Sequence, residues 1–406
     1  MKLESEANEP HPARGSALEV LQAFLKLGLT SFGGPVAHLA YFRTEFVERR
    51  RWLDDASYSD LVALCQFLPG PASSQVGIAL GLRRAGWLGG LLAWAAFTAP
   101  SALALILFAL SVARWDTLAR SGAMHGLKIA AVAIVAQAVW GMWKSLCPDR
   151  QRGAIAVCAV LLVIALPATT GQMIAMAVGG IVGAWVVPAS PARPATSHDY
   201  GVTRRAGALL LATAALLLLA LPAAAAATGW LTLQAVAAIY KAGALVFGGG
   251  HVVLPLLQAS VVRAGWLSNS SFLAGYGAAQ AVPGPLFSFA AYLGAAMSIG
   301  PGGWAGGLLM VVTIFLPGAL LVTGALPYWE SLRRHAWIRR AMAGVNAAVV
   351  GVLAAALYDP VWTSTIHLLN DAVLAFAAFG LLMFARMSPL WVVLLATLGG
   401  WAATPA

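Results

Sequence analysis

Apolar residues run along this chain in long blocks, at approximately 17–40, 57–82, 86–112, 121–147, 153–167, 170–187, 206–227, 231–260, 271–299, 303–327, 341–357, 361–384 and 388–403. A helix that crosses a bilayer needs about 20 mostly apolar residues. The blocks therefore predict an all-α polytopic membrane protein with on the order of a dozen spans or broken equivalents. The longest polar interlude, 188–205, is rich in Pro and small polar residues, which is a linker composition. It divides the chain into an N-terminal part, 1–190, a linker, 191–204, and a C-terminal part, 205–406.

The two parts carry one pattern twice. Phe32-Gly33-Gly34-Pro35, followed by Trp52, Gln66 and Pro69-Gly70-Pro71, recurs as Phe247-Gly248-Gly249-Gly250, followed by Trp266, Gln280 and Pro283-Gly284-Pro285. The offset is 215 residues at Phe-Gly-Gly, 214 from Trp52 to Pro71, and 217 by Trp87/Trp304 and Pro100/Pro317. Helix-breaking residues inside apolar blocks, repeated at matching places in both halves, are the mark of a transporter built from internal repeats, with its site where the broken helices meet.

Basic residues change sides between equivalent loops. In the first half Arg43, Arg49, Arg50, Arg51, Arg83 and Arg84 flank the Trp52-to-Pro71 segment, and the far loop holds only Arg114 and Arg120. In the second half the six reduce to Arg263, and the other loop holds Arg333, Arg334, Arg339 and Arg340. If an excess of Lys and Arg marks the cytoplasm, the halves are inverted-topology repeats. A parallel duplication with scattered charges is the competing reading.

Composition agrees with the apolar blocks. The chain is 60% apolar and 10% charged, with a mean hydropathy of +0.80, whereas about 25% charged residues is usual in soluble domains. The net charge of +10 sits in short loops rather than on one polar face, so it reads as membrane orientation and not as nucleic-acid binding. Residues Met1 to Gly15 lack the apolar run of a signal peptide, and no cleavage is expected. Cys65, Cys147 and Cys158 have no metal-ligand or obvious disulfide spacing and read as packing residues.

The breaks are the site candidates. In hydrocarbon, an unpaired amide or carbonyl costs several kcal/mol, so a break persists only where it is buried in protein or lines a polar cavity. Pro69-Gly70-Pro71 and Pro283-Gly284-Pro285 would each end one half-helix and begin another, offering free N–H groups and a positive dipole end to an anion. Gln66 and Gln280 stand three residues before them. Ser73, Ser74 and Ser288 lie just beyond and add hydroxyls, Ser74 and Ser288 being repeat equivalents. Gly33, Gly34, Gly248 and Gly249 are candidates on the same argument. The alternative is that the breaks are kinks for close helix packing.

Lysine is rare, five in all, and two of them, Lys26 and Lys241, stand at equivalent positions six residues before Phe-Gly-Gly. A cation at the centre of a membrane helix costs about 2.5–3.5 kcal/mol on insertion scales. Two readings are open: balancing an anionic substrate in a central cavity, or snorkelling to the interface or pairing with Glu19. His38 and His251 follow the two breaks and are proton-coupling candidates, although a hydrogen-bonded packing role is the commoner one for such residues. His125 lies beside Lys128. The acidic residues Glu45, Glu48, Asp54, Asp55 and Asp60 read as solvated partners of the first-half arginines.

The chain has no Gly-rich phosphate loop, zinc-binding His pair or nucleophile elbow. A carrier driven by a gradient is expected rather than an enzyme, with no cofactor and no metal. A membrane enzyme or scramblase acting on phosphate headgroups is the remaining reading from another class.

The linked motifs in both halves, Phe32-Gly33-Gly34-Pro35, Trp52-Leu53-Asp54, Gln66-Phe67-Leu68-Pro69-Gly70-Pro71, Phe247-Gly248-Gly249-Gly250-His251 and Gln280-Ala281-Val282-Pro283-Gly284-Pro285, resemble the chromate ion transporter (CHR) family, long-chain two-domain type. The resemblance implies a multi-pass carrier of the bacterial inner membrane that exports chromate, coupled to the proton gradient, and confers chromate resistance. It also implies homologous, oppositely oriented halves. Gly250 stands where the first half has Pro35, so the two copies need not contribute equally. A sulfate or general oxyanion transporter is the runner-up. Membrane lipids are the other expected partners, no nucleic acid is expected, and a homodimer is left open.

Overall fold

The computed structural model describes residues 15–32, 34–114, 122–166, 168–188, 200–247, 253–332 and 335–403, and these form helices and their connections. Gly33, Gly248, Gly249 and His251 lie outside the described residues. Helix α1 (Ala17–Thr30) is capped by Ser16, α2 spans Gly34–Phe42 and runs into a π-helical turn at Arg43–Arg49, and α3 (Asp55–Phe67) is capped by Asp54. The long α4 (Ala72–Arg114) is interrupted by non-helical backbone at Ala85 and Gly86. Helices α5 (Gly122–Leu146), α6 (Arg150–Ala165) and α7 (Ala168–Val186) complete the first half.

The second half opens with α8 (Arg204–Thr228), which has no counterpart among the described residues of the first. Then come α9 (Leu231–Ala244), α10 (Val253–Val261) and α11 (Asn269–Ala281), capped by Ser268. A 3-10 turn, Leu286–Ser288, leads into α12 (Phe289–Ala296). Helices α13 (Gly303–Ala325), α14 (Ala336–Ala356), α15 (Leu369–Met383) and α16 (Pro389–Ala403) follow.

Among the described residues, five helical stretches, 72–112, 122–146, 204–228, 303–328 and 336–362, are long and apolar enough to cross a membrane. Large apolar side chains such as Leu216 and Leu219 on α8, Ile164, Ile181 and Trp185 are more than 60% exposed. Such a surface suits lipid, not water. The four blocks that contain Phe-Gly-Gly or Pro-Gly-Pro are each broken there into half-length helices.

The broken blocks fold as hairpins. At the base of the first Pro-Gly-Pro hairpin, the Arg84 guanidinium sits over the Trp52 ring, 5.4 Å from its centroid. At the base of the second, Ser298 N–H donates to the Trp266 carbonyl at 3.0 Å. Trp52 and Trp266 are repeat equivalents, and so are Arg84 and Ser298. Each Phe-Gly-Gly half-helix packs on the long helix of its own half through one glycine: a Cβ on Gly28 would fall 2.9 Å from the Phe97 carbonyl oxygen, and one on its equivalent Gly243 would collide with the Ile314 carbonyl.

The remaining helices are exchanged between halves. Helix α5 packs on α15 and α16, and its equivalent α14 packs on α6 and α7. Small residues allow both approaches. Gly126 meets the Ala396 carbonyl and Gly400, while Gly344 meets Gly179 and Gly183. Where helices in lipid gain nothing from expelling water, such close backbone contact is the chief source of association.

Candidate functional site

The two Pro-Gly-Pro tips meet the two Phe-Gly-Gly breaks crosswise. Gly70 N–H donates to the Val246 carbonyl at 2.7 Å, and Gly284 N–H donates to the Ser31 carbonyl at 2.9 Å. Ser31 and Val246 are repeat equivalents, as are the two glycines. Each carbonyl lies where a half-helix has just ended and the intrahelical partner is missing. Each donor amide is also outside any helix, and an unpaired buried amide is costly. One exchange satisfies both groups, twice over. Gly70 has φ +123° and Gly284 φ +105°, a region open to glycine and strained for other residues.

Polar side chains gather around this crossing from the first half. Ser31, His38, Ser73, Ser74, Gln75, Thr98 and Ser101, with Ser288 from the second half, are none of them more than 2% exposed. His38 Nε2 lies 3.2 Å from the Ser31 carbonyl and Nδ1 3.4 Å from Ser73 Oγ. A neutral imidazole that donates from Nε2 to the carbonyl leaves Nδ1 to accept the serine proton. Phe97 stands edge-on to the His38 ring, with centroids 5.3 Å apart. Ser101 Oγ donates to Ser288 Oγ at 2.7 Å. Gln75 Nε2 donates to the Pro69 carbonyl at 2.9 Å and to the Gly318 carbonyl at 3.2 Å. Ser31 Oγ, Ser74 Oγ, Gln75 Oε1 and Thr98 Oγ1 are buried with no protein partner. Buried polar groups are as a rule hydrogen-bonded, so these four are open to a water or a polar ligand.

The second half presents a mostly apolar counterpart. At the positions equivalent to Ser31, His38, Ser73, Gln75 and Thr98 stand Val246, Val253, Phe287, Phe289 and Phe315. Phe287 and Phe315 pack ring to ring at 5.8 Å. The crossing is symmetric in its backbone and one-sided in its chemistry.

Of the residues singled out by sequence, the structure brings Gly34, Pro69, Gly70, Pro71, Ser74, Pro283, Gly284, Pro285, Ser288 and His38 to the crossing or its immediate flanks. Gln66 is exposed on α3, and Gln280 is half-buried beside the Tyr276 hydroxyl. Lys241 is exposed in the last turn of α9. Lys26 is 56% exposed and lies 3.5 Å from Glu45, so its partner is not Glu19. Neither lysine stands in the polar cluster. Gln75, Thr98, Ser31 and Ser101 were not singled out. The available signal was their place in otherwise apolar blocks within a few residues of the breaks or of Pro100.

Glu45 also departs from the solvated pairing expected of it. It is 5% exposed and holds Arg50 at 2.8 Å, Arg49 at 3.4 Å and Lys26 at 3.5 Å. Burial pushes its carboxyl upward, and the Arg50 hydrogen bond with the charges of Lys26 and Arg50 outweighs that, leaving it below the usual carboxylate range. Arg43, with Glu48 and Asp55, forms the solvated pairs that were expected. The position of the Arg43–Asp55 pair is taken in the second half by a Gln258–Asn269 hydrogen bond.

The cluster contains hydroxyls, amides and one imidazole. Of these the Ser31, Ser74 and Thr98 hydroxyls are left with no protein partner, and together with the first-turn N–H groups of α4 they are donors suited to a small oxyanion, which needs no opposite full charge when enough dipoles converge on it. Among the described residues, no group of acidic, His or Cys side chains is placed to hold a metal ion.

The chromate transporter family model matches residues 18–185 and 233–401, one segment in each half. A chromate transport protein of Pseudomonas aeruginosa is 30% identical over 98% of this chain and 95% of its own length. A chromate transport protein of Cupriavidus metallidurans is 28% identical over 95% of this chain and 93% of its own. An uncharacterized transporter of Bacillus subtilis is 30% identical over 30% of this chain and 66% of its own. No solved structure matches the chain. With both halves matched and similarity extending over nearly the full length, the chain belongs to the chromate transporter family, in its long, two-segment form.

Proposed function

We propose that this protein carries chromate out of the cytoplasm across the bacterial inner membrane, binding it at the crossing of the two broken-helix hairpins. The observation that carries the reading is the reciprocal hydrogen bonding of Gly70 to Val246 and of Gly284 to Ser31, beside the Ser31, Ser74 and Thr98 hydroxyls with no protein partner. Full-length similarity to chromate transport proteins supplies the substrate. Helix N-termini and hydroxyls at the depth of a broken helix are how carriers of this kind hold anions.

We further infer that the halves have inverted topology. Reciprocal contacts between equivalent residues are what a two-fold relation generates. Helix α8, which matches no described helix of the first half, supports an odd number of crossings between equivalent points, as an axis in the membrane plane requires. His38, at the crossing, is the proton-coupling candidate.

Purified protein in sealed vesicles tests the transport reading. Radiolabelled chromate is expected to accumulate unchanged when a proton gradient and potential are imposed, and to stop accumulating when an uncoupler is added. Vesicles that take up no more label than protein-free controls would overturn the reading, as would recovery of the label in a new chemical form.

A further inference from the structure

We propose that a cavity between α6, α7, α10 and α14, apart from the crossing, binds the headgroup of a phospholipid carrying both a phosphate and a primary ammonium. Arg263 takes the phosphate, and Asp359 with the Gln172 and Gln258 amides takes the ammonium. The inference does not depend on which ion the protein carries.

The cavity has a volume of about 320 Å³ and lies where the first half meets the second. Val163 of α6 and Gln172 of α7 line it from one half, and Gln258 of α10, Arg263, Asn269 and Asp359 from the other. Gln172 and Gln258 are each 4% exposed, and each keeps an amide oxygen with no protein partner. Gln258 Nε2 is already committed to Asn269 Oδ1. Nearly buried amides left half satisfied in the wall of a cavity are completed by a polar occupant.

The charges decide what kind of occupant. Asp359 accepts from the Thr363 hydroxyl at 3.1 Å, and among the described residues neither it nor Arg263 has a partner of opposite charge. At the positions equivalent to Gln258, Arg263 and Asn269 the first half has Arg43, Glu48 and Asp55, and there Arg43 binds both carboxylates. That place is closed by its own ion pairs. Its second-half counterpart leaves one cation and one anion on the same cavity. An inorganic oxyanion would suit Arg263 and oppose Asp359, and a bare cation would do the reverse. A zwitterion answers both, since charge complementarity sets which partner is accepted. A primary ammonium also brings three N–H donors, enough for a carboxylate and the two amide oxygens.

The surroundings point to a lipid as the source of that headgroup. Leu161 and Ile164, flanking Val163 on α6, are exposed, and so is Tyr358 beside Asp359. Arg263 follows the end of α10 at Val261, and Asp359 lies in the last turn of the apolar stretch 336–362. Those ends put the cavity at the polar edge of the bilayer, the level of headgroups and of interfacial tyrosines. From there the acyl chains run along the apolar face of α6. A lipid so placed ties α6 and α7 of one half to α10 and α14 of the other.

The test uses the full chain purified in detergent, with bound lipid read by native mass spectrometry and stability by the thermal midpoint. Phosphatidylethanolamine is compared with phosphatidylcholine, whose cation has no N–H, and phosphatidylglycerol, which has no cation, all with the same acyl chains. Phosphatidylethanolamine is expected to be retained about tenfold better than either and to raise the midpoint by about 3 °C or more. Arg263→Gln is expected to lower retention of the ethanolamine lipid about tenfold, and Asp359→Asn to erase its advantage over phosphatidylglycerol. Both residues are exposed, so each variant is expected to fold, and should either fail to, the headgroup series on the wild type decides. Equal retention of the three lipids would overturn the inference, as would a preference that both variants keep. Water-soluble phosphoethanolamine giving the same midpoint shift would overturn the lipid assignment in favour of a free zwitterion. A shift produced by sulfate through Arg263, without a lipid preference, would make the cavity an anion site instead. None of these outcomes bears on chromate uptake, so the carrier reading stands or falls separately.

Discussion

At the residue scale, the crossing depends on two glycines that no other residue replaces without strain. A β-branched residue at the φ of Gly70 or Gly284 costs about 1–2 kcal/mol or more. A Cβ on Gly70 would stand 3.1 Å from the Gly318 Cα, and one on Gly284 would stand 2.9 Å from Ser101 Oγ. Gly70→Val and Gly284→Val are each expected to reduce chromate flux in vesicles at least a hundredfold while the protein remains in the membrane. Normal flux in both would reduce the tips to packing features. Lys26→Ala, which removes an exposed cation lying outside the polar cluster, is expected to cost far less flux than either.

Glu45 supplies a residue-scale prediction about stability. Its carboxyl is held below the usual range in the folded protein, so its contribution is present above the unfolded carboxylate pKa, about 4.3, and is lost as pH falls through the lower folded value. Glu45→Gln leaves Arg49, Arg50 and Lys26 facing one another and is expected to cost about 1–3 kcal/mol at neutral pH. Thermal midpoints in detergent measure this. The gap between wild type and Glu45→Gln is expected to narrow as pH drops below about 4, and a gap that widened on acidification would contradict the assignment.

At the element scale, the exchanged helices pack through glycine pairs. Leucine at Gly126 or Gly344 would drive a side chain into the backbone of the facing helix, an overpacking that typically costs about 1–3 kcal/mol. Both variants are expected to melt lower in detergent. Gly141→Leu, on the same helix as Gly126 with nothing within 4 Å of its Cβ position, is expected not to.

How far the elements were legible follows from the same physics. Breaks at Pro69-Gly70-Pro71 and Pro283-Gly284-Pro285 were readable because proline and glycine act locally, on the backbone of their own segment. The partners those breaks found were not readable, because Val246 and Ser31 carry no mark in sequence and enter through their carbonyls alone. The lysines misled for a related reason: repeat spacing gives depth along a helix but not the face it shows, and Lys26 turns outward to Glu45. Glu45 itself, set among arginines in sequence, reads like its exposed neighbours until packing buries it. Gln75 was passed over because its importance lies in what its amide meets at Gly318, 243 positions away.

At the scale of the whole molecule, the proposed arrangement has two oppositely oriented halves that share one site, with the basic loops of both on the same side of the membrane. Accessibility of single cysteines to an impermeant thiol reagent in intact cells tests this most directly, after Cys65, Cys147 and Cys158 are replaced. Positions 51 and 331 are exposed at the ends of the first-half hairpin and of the α13 segment, and position 265 is exposed at the base of the second-half hairpin. Cysteines at 51 and 331 are both expected to resist labelling until the cells are opened, while one at 265 labels at once. If 51 and 331 label from opposite sides, the halves are not inverted, and the account of one site shared by two opposed repeats fails.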